Sequence, residues 1–384
     1  GKHRKRSAMK KIKVLQVNKL YDPFIGGVEK VVQQIADGLS SQTNMRVLVC
    51  NETKEDVTEI IHGVRVHRSG SFGMLGNMPL SVKFLRDLKK VSKSCDILHF
   101  HMPFPIGDLA GLLSGYQGKV VVWWHSDVVR QKKMMLLYRP VMERFLKRAD
   151  AIIVATQGHI DGSAYLGPYK DKCRVIPFGV NPEIEKKADQ WVAENKAKEE
   201  KREHTPVRFL FVGRLVYYKG CKTLLEAFAS VRNAELVMIG EGPLKQELIC
   251  LAERLEVSER VHFLGNVEDA VLDENFAACD VFVLPSIARS EAFGLVQTEA
   301  MVYEKPVINT NLPSGVPYVS IHKQTGLTVE PEDVKGLADA MNWMVGHKEE
   351  REEMGKRARA RVKECFQLQD MLDGVLALYR ELCR

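Results

Sequence analysis

The sequence predicts an α/β protein made of two doubly wound units facing each other across a cleft. Three observations predict it. Apolar runs of strand length alternate with helix-period stretches along the chain, the pattern of parallel sheets covered on both faces. The alternation occurs twice, restarting at Val207 after a charge-dense interval. A chain of 384 residues also exceeds what one core usually organises, so two domains of roughly 150–200 residues are expected.

The elements follow in order. "IKVLQV" (Ile12–Val17) reads as a strand, "NKLYDPFIGG" as a loop, "VEKVVQQIADGLSS" as a helix and "MRVLVC" as the next strand, a βαβ unit of ordinary length. Further strands are expected at "VRVHR", "DILHFH", "KVVVWWH", "AIIVAT" and "CRVIPF", with helices between most of them. Residues 9–180 form this first domain. The stretch 181–206, including "EIEKKADQWVAENKAKEEKREHTP", is charge-dense with one Trp and reads as an exposed linker or solvent-facing helix. Residues 207–366 repeat the scheme, with strands at "VRFLFVG", "AELVMIG", "VHFLG", "DVFVLPS", "KPVINT" and "TGLTV" and the helix "CKTLLEAFASV" after the first. Residues 367–384, with "MLDGVLALYRELC", form an amphipathic helix expected to pack back on the first domain. The opening "GKHRKRSA" before Met9 reads as an expression scar or a basic arm and is left out of fold reasoning.

Composition narrows the class. No apolar run reaches the roughly 18 residues of a membrane span. The eight cysteines form no CxxC, and Cys221, Cys250 and Cys279 sit within apolar or helical patterns. They read as small core hydrophobes in a reducing cytoplasm rather than disulfides or zinc ligands. The net charge of +7 is unevenly spread. Residues 1–180 carry 29 Lys and Arg against 15 Asp and Glu, and residues 181–384 carry 27 against 34. A basic half suits an anionic membrane, an acidic substrate or nucleic acid, and a solvated surface would look the same. No helix-turn-helix or aromatic-basic platform supports nucleic acid.

On doubly wound sheets, ligands bind beyond the carboxyl ends of the strands. Gly26 and Gly27 occupy such a loop, directly before a helix, where glycines let backbone approach a phosphate or sugar; a plain turn would use them too. They are not part of a GxGxxG, so a nicotinamide or flavin fingerprint is absent here. "VGRLVYYKG" sets Arg214 at a strand end and Lys219 before a helix, two cations suited to a diphosphate, although basic loop residues are common on surfaces. "SEAFGLVQTE" carries Glu291 just before an expected helix and Glu299 two turns on. If both were helical they would stand about 80° and ~12 Å apart, too far to share one proton or metal easily. An anion at the helix start, with acids binding diols on either side, matches ribose, diphosphate and hexose.

Together, "GRLVYYKG", "GEGP", "SEAFGLVQTEAM" and the Gly-Gly loop resemble the retaining glycosyltransferases of family 4, with the GT-B fold of two Rossmann-like domains. The resemblance covers nearly the whole chain from Met9. "ARSEAFGLVQTEAM" and "NTNLPSGVPYVS" resemble the bacterial mannosyl- and rhamnosyl-type members that build surface polysaccharide. The resemblance implies that Glu299 binds ribose hydroxyls and Glu291 hydroxyls of the donor hexose. Phe293, Gly294, Leu295 and Val296 would offer N–H groups to the diphosphate and donor sugar. Arg214 and Lys219 would neutralise the leaving diphosphate. Asn266 and Val267 would border the base, and Gly26 and Gly27 would approach diphosphate and acceptor. It sets His125 against the donor sugar near the reacting carbon and Asp127 towards an acceptor hydroxyl. His99 and His101 share a strand face without a matching acid cluster, which favours packing and acceptor-side contacts over a metal site.

The implied chemistry is acceptor attack on the face the diphosphate leaves, with the departing phosphate taking the proton. No metal or other cofactor is required if the cations stabilise the leaving charge. The expected donor is GDP-mannose, with UDP-hexoses next, and the acceptor a glycan or lipid-linked sugar. A nucleotide-sugar epimerase of the same fold would turn over donor without acceptor, and a non-catalytic nucleotide-binding module would never cleave it. Glu304 and Tyr318 depart from the family pattern, standing where relatives carry a helix-capping glycine and an acid. "VVRQKKMMLLYRPVMERFLKRAD" and "FLRDLKKVSK" mix basic and apolar residues. They suggest an anionic membrane surface as a partner, and hence a cytoplasmic protein peripheral on the inner face of the plasma membrane; a core-facing stripe with a solvated basic face would give the same pattern.

Overall fold

The computed structural model describes residues 10–24, 26–75, 78–128, 132–195 and 206–384. These fall into two compact units. One comprises residues 1–154, 165–176 and 372–384; the other comprises residues 155–164 and 177–371. The basic opening and parts of the charge-dense stretch 181–206 and of the basic segment (residues 1–8, 196–205 and 129–131) lie outside the described residues.

The first unit holds β1 (Lys13–Val17), β2 (Asn44–Cys50), β3 (Val57–Ile61), β4 (Val64–Ser69), the two-residue strands β5 (Met74–Leu75) and β6 (Met78–Pro79), β7 (Ile97–Met102), β8 (Lys119–Trp124), β9 (Ala151–Val154) and β10 (Cys173–Val175). Eight of them form one sheet in the order β10-β9-β8-β7-β1-β2-β4-β3. All neighbours are parallel except β3, which pairs antiparallel to β4 at the edge. Val14, Leu98, Val121 and Ile152 are wholly or almost wholly buried, as strands covered on both faces require. β3 was not expected, and its residues are largely exposed. An edge strand needs no continuous apolar run.

The second unit holds β11 (Val207–Val212), β12 (Ala234–Ile239), β13 (Val261–Gly265), β14 (Val281–Val283), β15 (Val307–Thr310) and β16 (Gly326–Val329). Its sheet is wholly parallel, in the order β13-β12-β11-β14-β15-β16. In each sheet the strand order reverses beside the first strand, between β1 and β7 and between β11 and β14. Such reversals open crevices at the strand carboxyl ends.

Three local readings change. The helix expected from Gly294 starts at Val296, because Gly294 has φ 71° and cannot continue a right-handed helix. Glu304 occupies the left-handed cap itself, with φ 63° and its N–H donating to Met301 O, so the turn survives without glycine. Cys250 is exposed, whereas Cys221 and Cys279 are buried as expected. Helix Pro182–Asn195 buries Ala188 and Val192, sets Trp191 tilted against Tyr303, and ties Asp189 to Arg359 and Lys363. Helix Leu368–Leu382 delivers Tyr379, fully buried, to β1 and β7 of the first unit.

Candidate active site

In the first unit, β1 ends at Val17 and the next helix, Gly27–Leu39, begins at Gly27 with Gly26 extended as its cap. The two glycines differ. A Cβ on Gly26 would lie 2.2 Å from Glu29 Oε2, whereas one on Gly27 would meet nothing within 4 Å. Packing explains the first. The second leaves backbone uncovered where a ligand could approach.

His125 follows β8. Its N–H donates to Met102 O (3.1 Å), joining the ends of β8 and β7. Its ring is 8% exposed, stacks on Trp123 at 5.7 Å between centroids and lies 2.9 Å, Nε2 to Nδ1, from His101. Asp127 is anchored, since Oδ1 accepts from Trp124 Nε1 at 3.0 Å. His99 and His101 stack on each other at 4.6 Å and are 0% and 1% exposed. Burial leaves neither a face for an acceptor. It also pushes both rings' pKa values down, to about 3 for His99, so both are neutral at ordinary pH.

In the second unit, Arg214 is exposed two residues past the end of β11. Lys219 closes a short 3₁₀ turn, Tyr217–Lys219. Gly220 then reverses the chain at φ 73°, with Pro285 O only 1.9 Å from where a Cβ would lie. No other residue fits there. The structure brings Lys219 to Glu291, Nζ to Oε2 at 2.7 Å, with side chains 14% and 9% exposed. The pair is thus largely shielded from water.

The loop after Glu291 has its own supports. Phe293 is buried edge-on against Phe178 and Phe366. Gln297 Nε2 donates to Phe293 O, and its Oε1 accepts from Asn309 Nδ2 at 2.9 Å. Asn309 also donates to Val316 O and Ser320 O. Gly294, Leu295 and Val296 are partly exposed, and no side chain caps the helix that follows. The opening turn is tight: Gln297 N–H donates to Gly294 O at 2.9 Å and Thr298 N–H to Leu295 O at 3.0 Å. Glu299 is half-buried in that first turn. Asn266 is exposed and Val267 half-buried just past β13. Tyr318 is 41% exposed beside Gly158, and its carbonyl accepts from Arg361.

Sequence reasoning missed Gln16, Tyr379, Gln297 and Asn309. Gln16 and Asn309 had a signal, a lone polar side chain inside an apolar strand ("VLQV", "VINT"). Asp56, His67 and Asp87 also cluster in the first unit. Their atoms are engaged: Asp56 by Gly70 N–H and Arg86, Asp87 by His67, Ser69 and Arg86. The cluster reads as an ion-pair network.

Comparison with known proteins gives two family matches in tandem. Residues 25–184 match the Glycosyltransferase Family 4 model and residues 192–361 that of Glycosyl transferases group 1. The chain is 34% identical over 361 residues to the D-rhamnosyltransferase WbpZ of Pseudomonas aeruginosa, covering 92% of each. It is 33% identical to the O-antigen chain mannosyltransferase C of Escherichia coli, covering 97% of this chain and 99% of that one. Among solved structures, a sucrose-phosphate synthase from Thermosynechococcus elongatus superposes with a TM-score of 0.76 at 22% identity, covering 97% of this chain and 99% of that one.

Proposed function

The chain belongs to the family 4 glycosyltransferases, and on that premise we propose that it moves a hexose from a nucleotide sugar to a glycan or lipid-linked acceptor in cell-surface polysaccharide synthesis. The relatives named for mannosyl and rhamnosyl transfer favour GDP-mannose as donor, with UDP-hexoses next. Transfer retains the anomeric configuration and needs no divalent metal.

The observation that carries the reading is the shielded pair Lys219–Glu291, 2.7 Å apart, with both residues in loops that follow β11 and β14. The strand order reverses between those two strands. Lys219 there can meet a diphosphate oxygen while Glu291 accepts from hexose hydroxyls. Breaking the bond between sugar and diphosphate puts negative charge on the leaving group. Lys219 and the exposed Arg214 stabilise that charge as it develops, which lowers the barrier. The acceptor hydroxyl attacks from the same face, and its proton passes to the departing phosphate. Gly27, Phe293, Gly294, Leu295 and Val296 supply backbone to the diphosphate, Asn266 and Val267 border the base, and Glu299 takes the ribose hydroxyls. His125 contacts the donor hexose and Asp127 the acceptor.

Membrane attachment of the acceptor is supported by helix Lys132–Arg148, where Leu136 and Leu137 are 80% and 82% exposed beside exposed Lys132 and Lys133. Among the described residues no helix is long and apolar enough to cross a membrane. Such a face suits peripheral binding to anionic lipid.

A thermal-shift panel of GDP, UDP and ADP with their sugars tests the donor, followed by product analysis with and without acceptor in EDTA. Binding of one nucleoside diphosphate and acceptor-dependent release of it are expected. Glu299→Ala should weaken that binding about tenfold, the loss of one charged hydrogen bond. Donor turnover without acceptor, or none in EDTA, would overturn the reading.

A further inference from the structure

A continuous hydrogen-bonded chain runs through the first unit from the C-terminal helix to His125. Gln16, on β1, is its junction and is fully buried. Its Nε2 lies 2.8 Å from Tyr379 Oη and 3.2 Å from His99 Nδ1, and its Oε1 lies 2.8 Å from His101 Nε2. Tyr379 Oη also bonds to His99 Nδ1, and His101 Nδ1 meets His125 Nε2 at 2.9 Å.

Donor and acceptor roles propagate along such a chain. Gln16 Oε1 can only accept, so His101 carries its proton on Nε2. A neutral ring has one N–H, so His101 Nδ1 is an acceptor and His125 Nε2 must donate to it. In a neutral His125 ring the lone pair then stands on Nδ1. At the other end the Gln16 amide donates to Tyr379 Oη, which donates in turn to His99 Nδ1. Stacking among His99, His101, His125 and Trp123 holds the ring planes nearly parallel. Burial keeps His99 and His101 neutral, so the relay carries tautomers rather than charge.

We propose that Gln16 and Tyr379 are positioning residues that set the tautomer and orientation of His125 through His101. His125 then holds one tautomer in every molecule. Tyr379 holds the amide in place, its hydroxyl lying between Gln16 Nε2 and His99 Nδ1. The role in transfer rests on the proposed contact of His125 with the donor hexose; the tautomer assignment does not.

The test is two-bond ¹⁵N–¹H correlation of the full chain labelled in histidine, for the parent, Gln16→Met and Tyr379→Phe. Histidine-to-glutamine variants assign the signals. In the parent, His101 and His125 should each show a protonated Nε2 and a bare Nδ1. In Gln16→Met, which keeps length but cannot bond, both rings should move towards a mixture of tautomers. Tyr379→Phe, which removes one oxygen, should give the same change at smaller amplitude, and it covers the case that Gln16→Met does not fold. kcat should fall about tenfold in Gln16→Met, with nucleoside diphosphate affinity unchanged within twofold. A parent His125 protonated on Nδ1, or tautomers indifferent to both substitutions, would overturn the inference whatever the activity. Altered tautomers with unchanged kcat would overturn the role in transfer. A parent that transfers no sugar would count against the proposed function and not against the relay.

Discussion

Replacing Lys219 with Met isolates the pair at the carboxyl ends of β11 and β14. Nζ lies 2.7 Å from Glu291 Oε2, and the side chains are 14% and 9% exposed. At that separation the Coulomb attraction is about 6 kcal/mol for an effective dielectric near 20. Desolvating both ions offsets much of this, so the pair adds little net stability. Removing one partner is different, because it strands the other charge away from water, at a cost of about 3–5 kcal/mol. Lys219→Met and Glu291→Gln should each destabilise by about that much. The double variant should cost clearly less than their sum, with a coupling of about 2–3 kcal/mol. A loss of 3 kcal/mol corresponds to a fall of roughly 6–12 °C in the transition of a unit this size. Thermal unfolding of the four proteins, with and without nucleoside diphosphate, is the assay. If Lys219 turns to the diphosphate on binding, the coupling should shrink with ligand present. Singles that add to within about 0.5 kcal/mol would show that the two charges do not depend on each other.

Two more outcomes follow from the same physics. Glu304 holds φ 63° at a helix end, which costs a residue with a Cβ about 1–2 kcal/mol. Part of the gain from glycine is offset by its freer unfolded chain, so Glu304→Gly should raise Tm by roughly 1–4 °C, and differential scanning calorimetry showing no rise would refute the strain. Asp108 is fully buried, accepts from the Tyr138 hydroxyl, and is pushed up to about 8 by desolvation. A carboxyl whose folded pKa exceeds its unfolded value near 4 binds its proton more tightly when folded. It therefore favours the fold at low pH and withdraws up to about 5 kcal/mol as pH rises from about 4 to 8. Tm of Asp108→Asn should fall less steeply than that of the parent between pH 5 and 8.5; parallel curves would mean that this carboxyl does not titrate with folding.

Much of this was legible in the sequence because parallel sheets are written in local patterns. Buried strands such as "VVVWW" (Val120–Trp124) and "RFLFV" (Arg208–Val212) announce themselves by apolar continuity. The loops after them carry the glycines, cations and acids. Non-local pairing was not legible. Gln16 and Tyr379 are 363 positions apart, and no spacing rule links a glutamine in one strand to a tyrosine on a distant helix. Gln297 and Asn309 likewise join only once β15 is set beside its neighbours. β3 was missed because an edge strand with one open face resembles a polar loop. Glu304 stands where relatives carry a capping glycine, yet its backbone takes the left-handed conformation there.

The first unit takes its final segment, residues 372–384, from the far end of the chain. A ribosome therefore makes all of the second unit before it can hand Tyr379 to Gln16. The earlier-born sheet must wait through that interval with buried polar groups on β1 and β7 missing a partner. Order of synthesis and order of completion are inverted, and any chain cut short before Tyr379 yields a half-made relay even where the preceding sheets have formed.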